Sequence, residues 1–199
     1  MNIQFDIKLN KSQQDLLDLI ESDSKYIIAN ISRQQGKSVL MKVLCTKWLL
    51  ESNHSIGYVC PGLNLSKKFF KDLTAVIPPK LLTISNGSDL VIQSITGSTL
   101  SFFSAEQSNR IRGNTFDYLI LDEVAFFKED KQNHIWYSVL QPATKVKGKK
   151  IILVSTPNGK DNFFYDMAQL AINGKKGYSY IKRTIYDDAF INDIDELKS

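Results

Sequence analysis

The stretch Tyr26-Ile27-Ile28-Ala29-Asn30-Ile31-Ser32-Arg33-Gln34-Gln35-Gly36-Lys37-Ser38 decides the fold. Its first six residues are a mostly apolar run too short for a stable helix. Ser32 to Ser38 is polar, and from Val39 onward apolar residues recur at helical spacing (Val39, Leu40, Val43, Leu44, Trp48, Leu49). Strand, loop and helix in that order form the setting in which backbone N–H groups and a helix N-terminus converge on an anion. A lysine there reaches the β- and γ-phosphates and a hydroxyl holds Mg2+. Gly36, Lys37 and Ser38 are the residue types those three roles require. The full pattern G-x-x-x-x-G-K-[ST] asks for glycine at position 31, where this chain has Ile31, so the match is partial.

A second segment, Asp117-Tyr118-Leu119-Ile120-Leu121-Asp122-Glu123, supplies what the loop lacks. An apolar run ending in two adjacent carboxylates reads as a buried strand with acids at its tip. Nucleotide hydrolysis needs one carboxylate near the metal and another that orients or deprotonates the attacking water, and Asp122 and Glu123 supply one each. From average residue usage, both segments arise together by accident in about one chain of this length in a thousand.

With 199 residues, 43% hydrophobic and 23% charged, the chain has the size and composition of one folded α/β domain. No apolar run approaches the roughly 20 residues that span a bilayer, so no membrane partner is expected. The N-terminus lacks a basic flank ahead of an apolar core, so the chain reads as cytosolic. Cys45 and Cys60 form no C-x-x-C pair, which argues against metal binding by them or a disulfide framework, and with His54 and His134 the only histidines a His-rich metal site is excluded. A net charge of +4 is compatible with a nucleic-acid partner and does not require one.

Along the chain, Ser12 with Asp15 suggests a capping box for a helix over 12–22. Strand 26–31, the helix after the loop, a strand over 55–60 stopped by Pro61-Gly62 and a helix over 64–77 stopped by Pro78-Pro79 alternate as a parallel sheet requires. Turns at Asn86-Gly87 and Gly97-Ser98 separate three strand-like runs, 81–84, 90–95 and 99–103, expected as antiparallel additions. A polar loop over 104–115 carries Arg110, Arg112 and Gly113. A helix over 135–144 interrupted by Pro142 follows the acidic strand, then strand 151–156 ending in Ser155-Thr156-Pro157-Asn158-Gly159, a helix over 161–172 and an extended stretch over 178–186. Residues 187–199, rich in Asp and Glu, read as a tail or linker.

With these pieces placed, the chain resembles the N-terminal ATPase domain of the large terminase subunit, the DNA-packaging motor of tailed bacteriophages and herpesviruses, over about residues 9 to 186. The family's phosphate loop typically reads S-R-Q-x-G-K-[ST], which Ser32 to Ser38 matches; Arg112-Gly113-Asn114, Leu121-Asp122-Glu123 and Ser155 to Gly159 match further motifs. The resemblance implies a RecA-like P-loop fold of the ASCE type over residues 1–186, with ATP and Mg2+, in which hydrolysis drives double-stranded DNA into a procapsid. It also implies contacts with the portal protein and the small terminase subunit, a homo-oligomeric ring when assembled and a monomer alone, and work in the host cytoplasm on the procapsid. Family members continue into a nuclease domain, toward which 187–199 would lead, so DNA cleavage is not expected of this chain.

The resemblance gives each residue a role. Ser32, Arg33, Gln34, Gln35, Gly36, Lys37 and Ser38 surround the phosphates, with Arg33 reaching the γ-phosphate of its own subunit. Ser38 and Asp122 hold the metal, Glu123 is the base, and Arg112 is a finger for a neighbouring subunit's ATP. Gln13, with Gln14 as rival, reads adenine or caps a helix. Ser155, Thr156 and Asn158 sense loss of the γ-phosphate. Lys67, Lys68 and Lys71, the cluster Lys145 to Lys150, and Lys175 with Lys176 are candidate DNA contacts. The alternatives are a helicase-like translocase fragment, which needs a second motor domain, and a nucleotide-gated module that docks DNA or portal without turnover.

Overall fold

The computed structural model describes residues 8–128 and 135–187. Eight strands form one sheet: β1 (Tyr26–Ile31), β2 (Ser55–Cys60), β3 (Leu82–Asn86), β4 (Val91–Ser94), β5 (Thr99–Ser104), β6 (Tyr118–Asp122), β7 (Lys150–Ser155) and β8 (Tyr178–Arg183). Their order across the sheet is β3-β4-β5-β2-β6-β7-β1-β8. Only β4 runs antiparallel to its neighbours, so the C-terminal tips of β1, β2, β5, β6, β7 and β8 share one edge.

Because side chains alternate along a strand, the apolar runs feed two cores. Ile27, Ala29, Ile120, Ile152 and Val154 face α1 (Lys11–Glu21), α2 (Lys37–Leu50) and α3 (Leu63–Val76); Ile28, Leu119, Leu121, Ile151 and Leu153 face α4 (Phe163–Ile172) and the helical segment 135–143. The central strand residues are fully buried, each contributing about 1.5–3 kcal/mol of transfer free energy. That burial on both faces explains why 27–29, 119–121 and 151–154 are continuous apolar runs without alternation.

Three expectations are corrected. The box at the start of α1 is Asn10 with Gln13: the Asn10 side chain accepts from Gln13 N–H (2.7 Å) and the Gln13 side chain accepts from Asn10 N–H (2.9 Å). Helix α1 therefore starts at Lys11, which frees Ser12 and Asp15 for tertiary contacts. Secondly, β5 pairs antiparallel with β4, as expected, but its other edge pairs parallel with β2 from Ser55↔Thr99 to Cys60↔Ser104, so it belongs to the parallel part of the sheet. The Gly97-Ser98 turn reverses the chain after β4, and buried Leu100, Phe102 and Phe103 need an interior position with both faces covered. Thirdly, 105–110 is a 3-10 helix rather than loop. The helix around Pro142 opens into a π turn over Trp136–Leu140, with Gln141 N–H reaching Trp136 O. Proline has no N–H to donate and its ring crowds the preceding turn, which the wider turn relieves. Apart from Asp187, the acidic segment 187–199 lies outside the described residues.

Candidate active site

The loop after β1 is held by a glycine conformation and by α1. Gly36 has φ +73°, a left-handed value that L side chains adopt at a cost, and a Cβ there would stand 2.4 Å from Gln13 Nε2. Gln34 is also left-handed (φ 64°). Gln13 Nε2 donates to Gly36 O (3.0 Å), and Ser12 Oγ donates to Gln35 Oε1 (3.0 Å). Ser32 N–H donates to Arg183 O (3.0 Å), and the Arg183 guanidinium is clamped by Asp15, with Nε at 3.0 Å from Oδ2. Helix α1 thus braces the loop at both ends. The Gln13 amide keeps one N–H and one lone pair beyond these bonds. Gln14 lies exposed, donating to Asp18 (2.7 Å).

Lys37, at the first position of α2, is buried, and its ammonium donates to Ile31 O (3.0 Å) and pairs with Glu123 Oε1 (3.3 Å). The two motif segments, far apart in sequence, therefore meet side chain to side chain. Ser38, Arg33 and Gln34 are exposed around this pair, and Gln35 is buried.

The adjacent carboxylates occupy opposite environments. Asp122 ends β6, and Tyr58 of β2, wholly buried, donates its hydroxyl to Asp122 Oδ2 (2.6 Å). Desolvation pushes the Asp122 carboxyl up to about 6 even though the Tyr58 hydrogen bond opposes it, and the Glu123 charge adds to the rise while Lys37 lowers it. Glu123 leaves the strand direction through a left-handed backbone (φ 51°), a strained conformation for a non-glycine residue. Desolvation also pushes Glu123 up, but the backbone N–H of Thr156 and the Lys37 ammonium outweigh it and hold the carboxyl below its usual range. Oε2 accepts from Thr156 N–H (3.1 Å), Thr156 Oγ1 (3.0 Å) and Ser155 Oγ (3.3 Å).

Strand β7 lies between β1 and β6, so Ser155 and Thr156 sit between loop and carboxylates. Ser155 Oγ accepts from Ala125 N–H (3.2 Å), and Asn158 Nδ2 donates to Ala125 O (3.0 Å), tying the segment after β7 to the turn after Glu123. The structure thus brings together Lys37, Glu123, Asp122, Ser155, Thr156 and Asn158 with the loop and Gln13. Arg112 stands apart: it is exposed, two residues past the 3-10 helix, and its side chain makes no hydrogen bond or ion pair among the described residues.

Tyr58, Asp15 and Arg183 escaped the sequence reading. Tyr58 is the one hydroxyl inside the run Ile56 to Cys60, which marks it as unusual but does not say which neighbouring strand it reaches. Among the described residues no group of three His, Cys, Asp or Glu side chains forms a metal cage. Ser38 and Asp122 are hard oxygen donors, and Asp122 is a desolvated carboxylate facing no full ion pair. That set suits Mg2+, which is commonly bound by one or two carboxylates together with substrate phosphates.

The family model for the terminase large subunit, T4likevirus-type, N-terminal, matches residues 28–196. The large terminase subunit of Escherichia phage T5 is 27% identical over 179 residues, covering 87% of this chain and 40% of that protein. Tripartite terminase subunit 3 of human herpesvirus 8 type P is 30% identical over 139 residues, covering 66% of this chain and 20% of that protein. The chain therefore spans less than half the length of these relatives. Among solved structures, the large terminase ATPase domain of Thermus phage P74-26 superposes with a TM-score of 0.73 at 19% identity, covering 90% of this chain and 82% of that one. The large terminase of the thermophilic bacteriophage D6E in complex with ATP-gamma-S gives 0.72 at 17% identity, covering 96% and 48%. At those identities the structural likenesses establish the fold, a RecA-like P-loop sheet.

Proposed function

Since this chain belongs to the terminase large subunit family, T4likevirus-type, in its N-terminal part, we propose that it hydrolyses ATP at the loop 32–38 and thereby drives double-stranded DNA into a procapsid. The observation that carries the chemistry is the Lys37–Glu123 contact at 3.3 Å, with Glu123 held from its other oxygen by Thr156.

A triphosphate entering at the N-terminus of α2 meets the N–H groups of the loop and draws the Lys37 ammonium away from Glu123 toward its phosphates. Glu123 then keeps Thr156 on Oε2, while Oε1 faces the position Lys37 has left. A water there donates one hydrogen bond to Oε1 and is aligned on the γ-phosphorus; as its oxygen bonds to phosphorus its proton passes to the carboxylate, the bond from the γ-phosphorus to the β,γ-bridging oxygen breaks, and ADP and inorganic phosphate are the products. Ser38 and Asp122 would hold Mg2+, which would supply positive charge against the triphosphate. Tyr58 fixes the Asp122 carboxylate through Oδ2. Arg33 reaches the γ-phosphate from the exposed side of the loop, and Gln13 presents its remaining N–H and lone pair to the adenine. When phosphate leaves, Lys37 returns to Glu123, and the change passes through Thr156 and Asn158 to the segment leading into α4.

Arg112 completes the site of a neighbouring copy, so the working form is a ring that docks on the portal with the small terminase subunit, in the host cytoplasm. Steady-state ATPase assays on wild type and Glu123→Gln test the hydrolytic reading. Retained nucleotide binding with turnover lost supports it. Turnover at the wild-type rate in Glu123→Gln removes Glu123 from the mechanism, and binding without turnover in wild type under every protein and DNA concentration leaves a nucleotide-gated docking module.

A further inference from the structure

Lysines from three separate loops converge at the edge of the sheet opposite the nucleotide site. Lys25 precedes β1, Lys145, Lys147 and Lys149 precede β7, and Lys175 with Lys176 precedes β8. Because β7, β1 and β8 are parallel and adjacent, all six positions fall at one N-terminal edge. The loops are also joined directly: Lys25 Nζ donates to Thr144 O (3.2 Å), and both Lys25 N–H and Tyr26 N–H reach Gly177 O (3.0 and 2.9 Å). Five of the six are exposed and Lys25 is half-buried.

None of the six makes an ion pair with a carboxylate among the described residues. Nearby carboxylates are engaged elsewhere: Asp117 Oδ2 accepts from Ser55 N–H (2.9 Å), Glu51 faces His54 (3.3 Å), and the Asp23 charge acts on Lys150. Three of the ammonium groups lie over tyrosine rings instead, Lys25 over Tyr26 (5.9 Å), Lys149 over Tyr118 (5.5 Å) and Lys175 over Tyr178 (4.8 Å). A ring orients the cation without cancelling its charge. Six unneutralised positive charges on one edge exceed the net +4 of the whole chain. By contrast, Lys68 and Lys71 on α3 share their face with Asp72, whose carboxylate pairs with Lys42 (2.8 Å) and lies in the field of both lysines. Tyr26 and Tyr178 stack on each other (4.4 Å), so their faces are spent within the protein rather than offered to unpaired bases.

We propose that this lysine edge, formed by the starts of β7, β1 and β8, binds the phosphate backbone of duplex DNA. The inference rests on the proposed reading that double-stranded DNA is the partner, and adds where it is gripped: at the end of the strands remote from ATP, so that β1 and β7 run from the DNA contact to the phosphate loop and to Thr156. Each lysine seated on a phosphate releases a condensed counterion, which makes the contact strongly salt-dependent and indifferent to sequence.

The test measures fluorescence anisotropy of a short labelled duplex against the full chain, from about 50 to 200 mM salt. In the fourfold variant Lys145→Gln, Lys147→Gln, Lys175→Gln, Lys176→Gln, affinity at the low-salt end falls by at least about tenfold and the slope of log K against log salt shrinks by about 3 to 4. The corresponding Lys→Arg variant keeps binding, Lys67→Gln with Lys68→Gln and Lys71→Gln stays within about twofold, and ATP binding is unchanged in all three. Wild-type affinity and slope in the fourfold variant overturn the proposal, as does loss of binding in the α3 variant, tighter binding of a single strand, or a wild-type chain that does not bind duplex. A chain that hydrolyses ATP without binding duplex sinks this surface alone; one that grips duplex through these lysines without turning over ATP sinks the proposed function alone.

Discussion

Lys37 and Arg112 are two cations assigned to the same kind of triphosphate, and the fold treats them oppositely. Lys37 is buried, with two partners, and its place is fixed by the start of α2 and by Glu123. Arg112 lies exposed beyond a 3-10 turn with no partner for its side chain among the described residues. On the proposed reading, the difference separates what one chain completes by itself from what a second copy would bring. The interior ion pair holds Glu123 and Lys37 in register, whereas the exposed arginine would, on the proposed reading, gain its geometry only on assembly.

The largest expected effect breaks or upholds that contrast directly. In the assembled motor, Arg112→Ala lowers turnover by about 10^3 to 10^5, yet in dilute monomer it leaves the slow basal rate unchanged. Mixing Arg112→Ala with Lys37→Ala subunits restores part of the activity, because each supplies what the other lacks; a mixed ring with no rescue places the arginine elsewhere. Next comes Glu123→Gln, which lowers turnover by about 10^2 to 10^4 in monomer and ring alike while retaining ATP binding by calorimetry. A third variant sharpens the contrast within the interior: Tyr58→Phe keeps the ring packed against Phe69 (4.0 Å) but releases Asp122 Oδ2. It weakens Mg2+-dependent tightening of nucleotide binding by about 10-fold and leaves metal-free binding as it was.

The smallest effect is on stability. Asp122, raised to about 6, binds its proton more tightly folded than unfolded. Between its ordinary value and about 6 the folded state therefore holds more protons, and stability falls as pH rises through that window. Asp122→Asn, which still accepts from Tyr58, raises the free energy of unfolding in EDTA at neutral pH by about 1–2 kcal/mol, and by less below pH of about 5. Glu123 contributes with the opposite sign: its depressed carboxyl stabilises the fold at neutral pH, and that contribution is lost on acidification through its folded value. Chemical denaturation across pH measures both.

The site was legible in sequence where function demanded an unusual pairing of residue types. Gly36-Lys37-Ser38 after an apolar run and Asp122-Glu123 at the end of another point together to a phosphate and a metal, because the two pairings seldom occur by accident in one chain. The bracing of the loop was not legible. Ser12 and Asp15 read as a capping box, since local sequence offers them nothing better, and only the packing of α1 beside the loop shows that Ser12 holds Gln35 and Asp15 holds Arg183. Tyr58 was hidden for the same reason: its partner lies on a strand whose position as neighbour to β2 is set by the whole sheet.

By itself the sequence determined which chemical groups are present and which short elements carry them, because chain periodicity, caps and turn residues act over a few neighbours. The tertiary structure alone decided that β7 separates β1 from β6, that Thr156 therefore stands against Glu123, and that Lys37 meets Glu123 directly. Fully apolar strands are nearly interchangeable in sequence, so their order is fixed only when helices on both faces and the crossovers between them find the single arrangement that buries all of them at once.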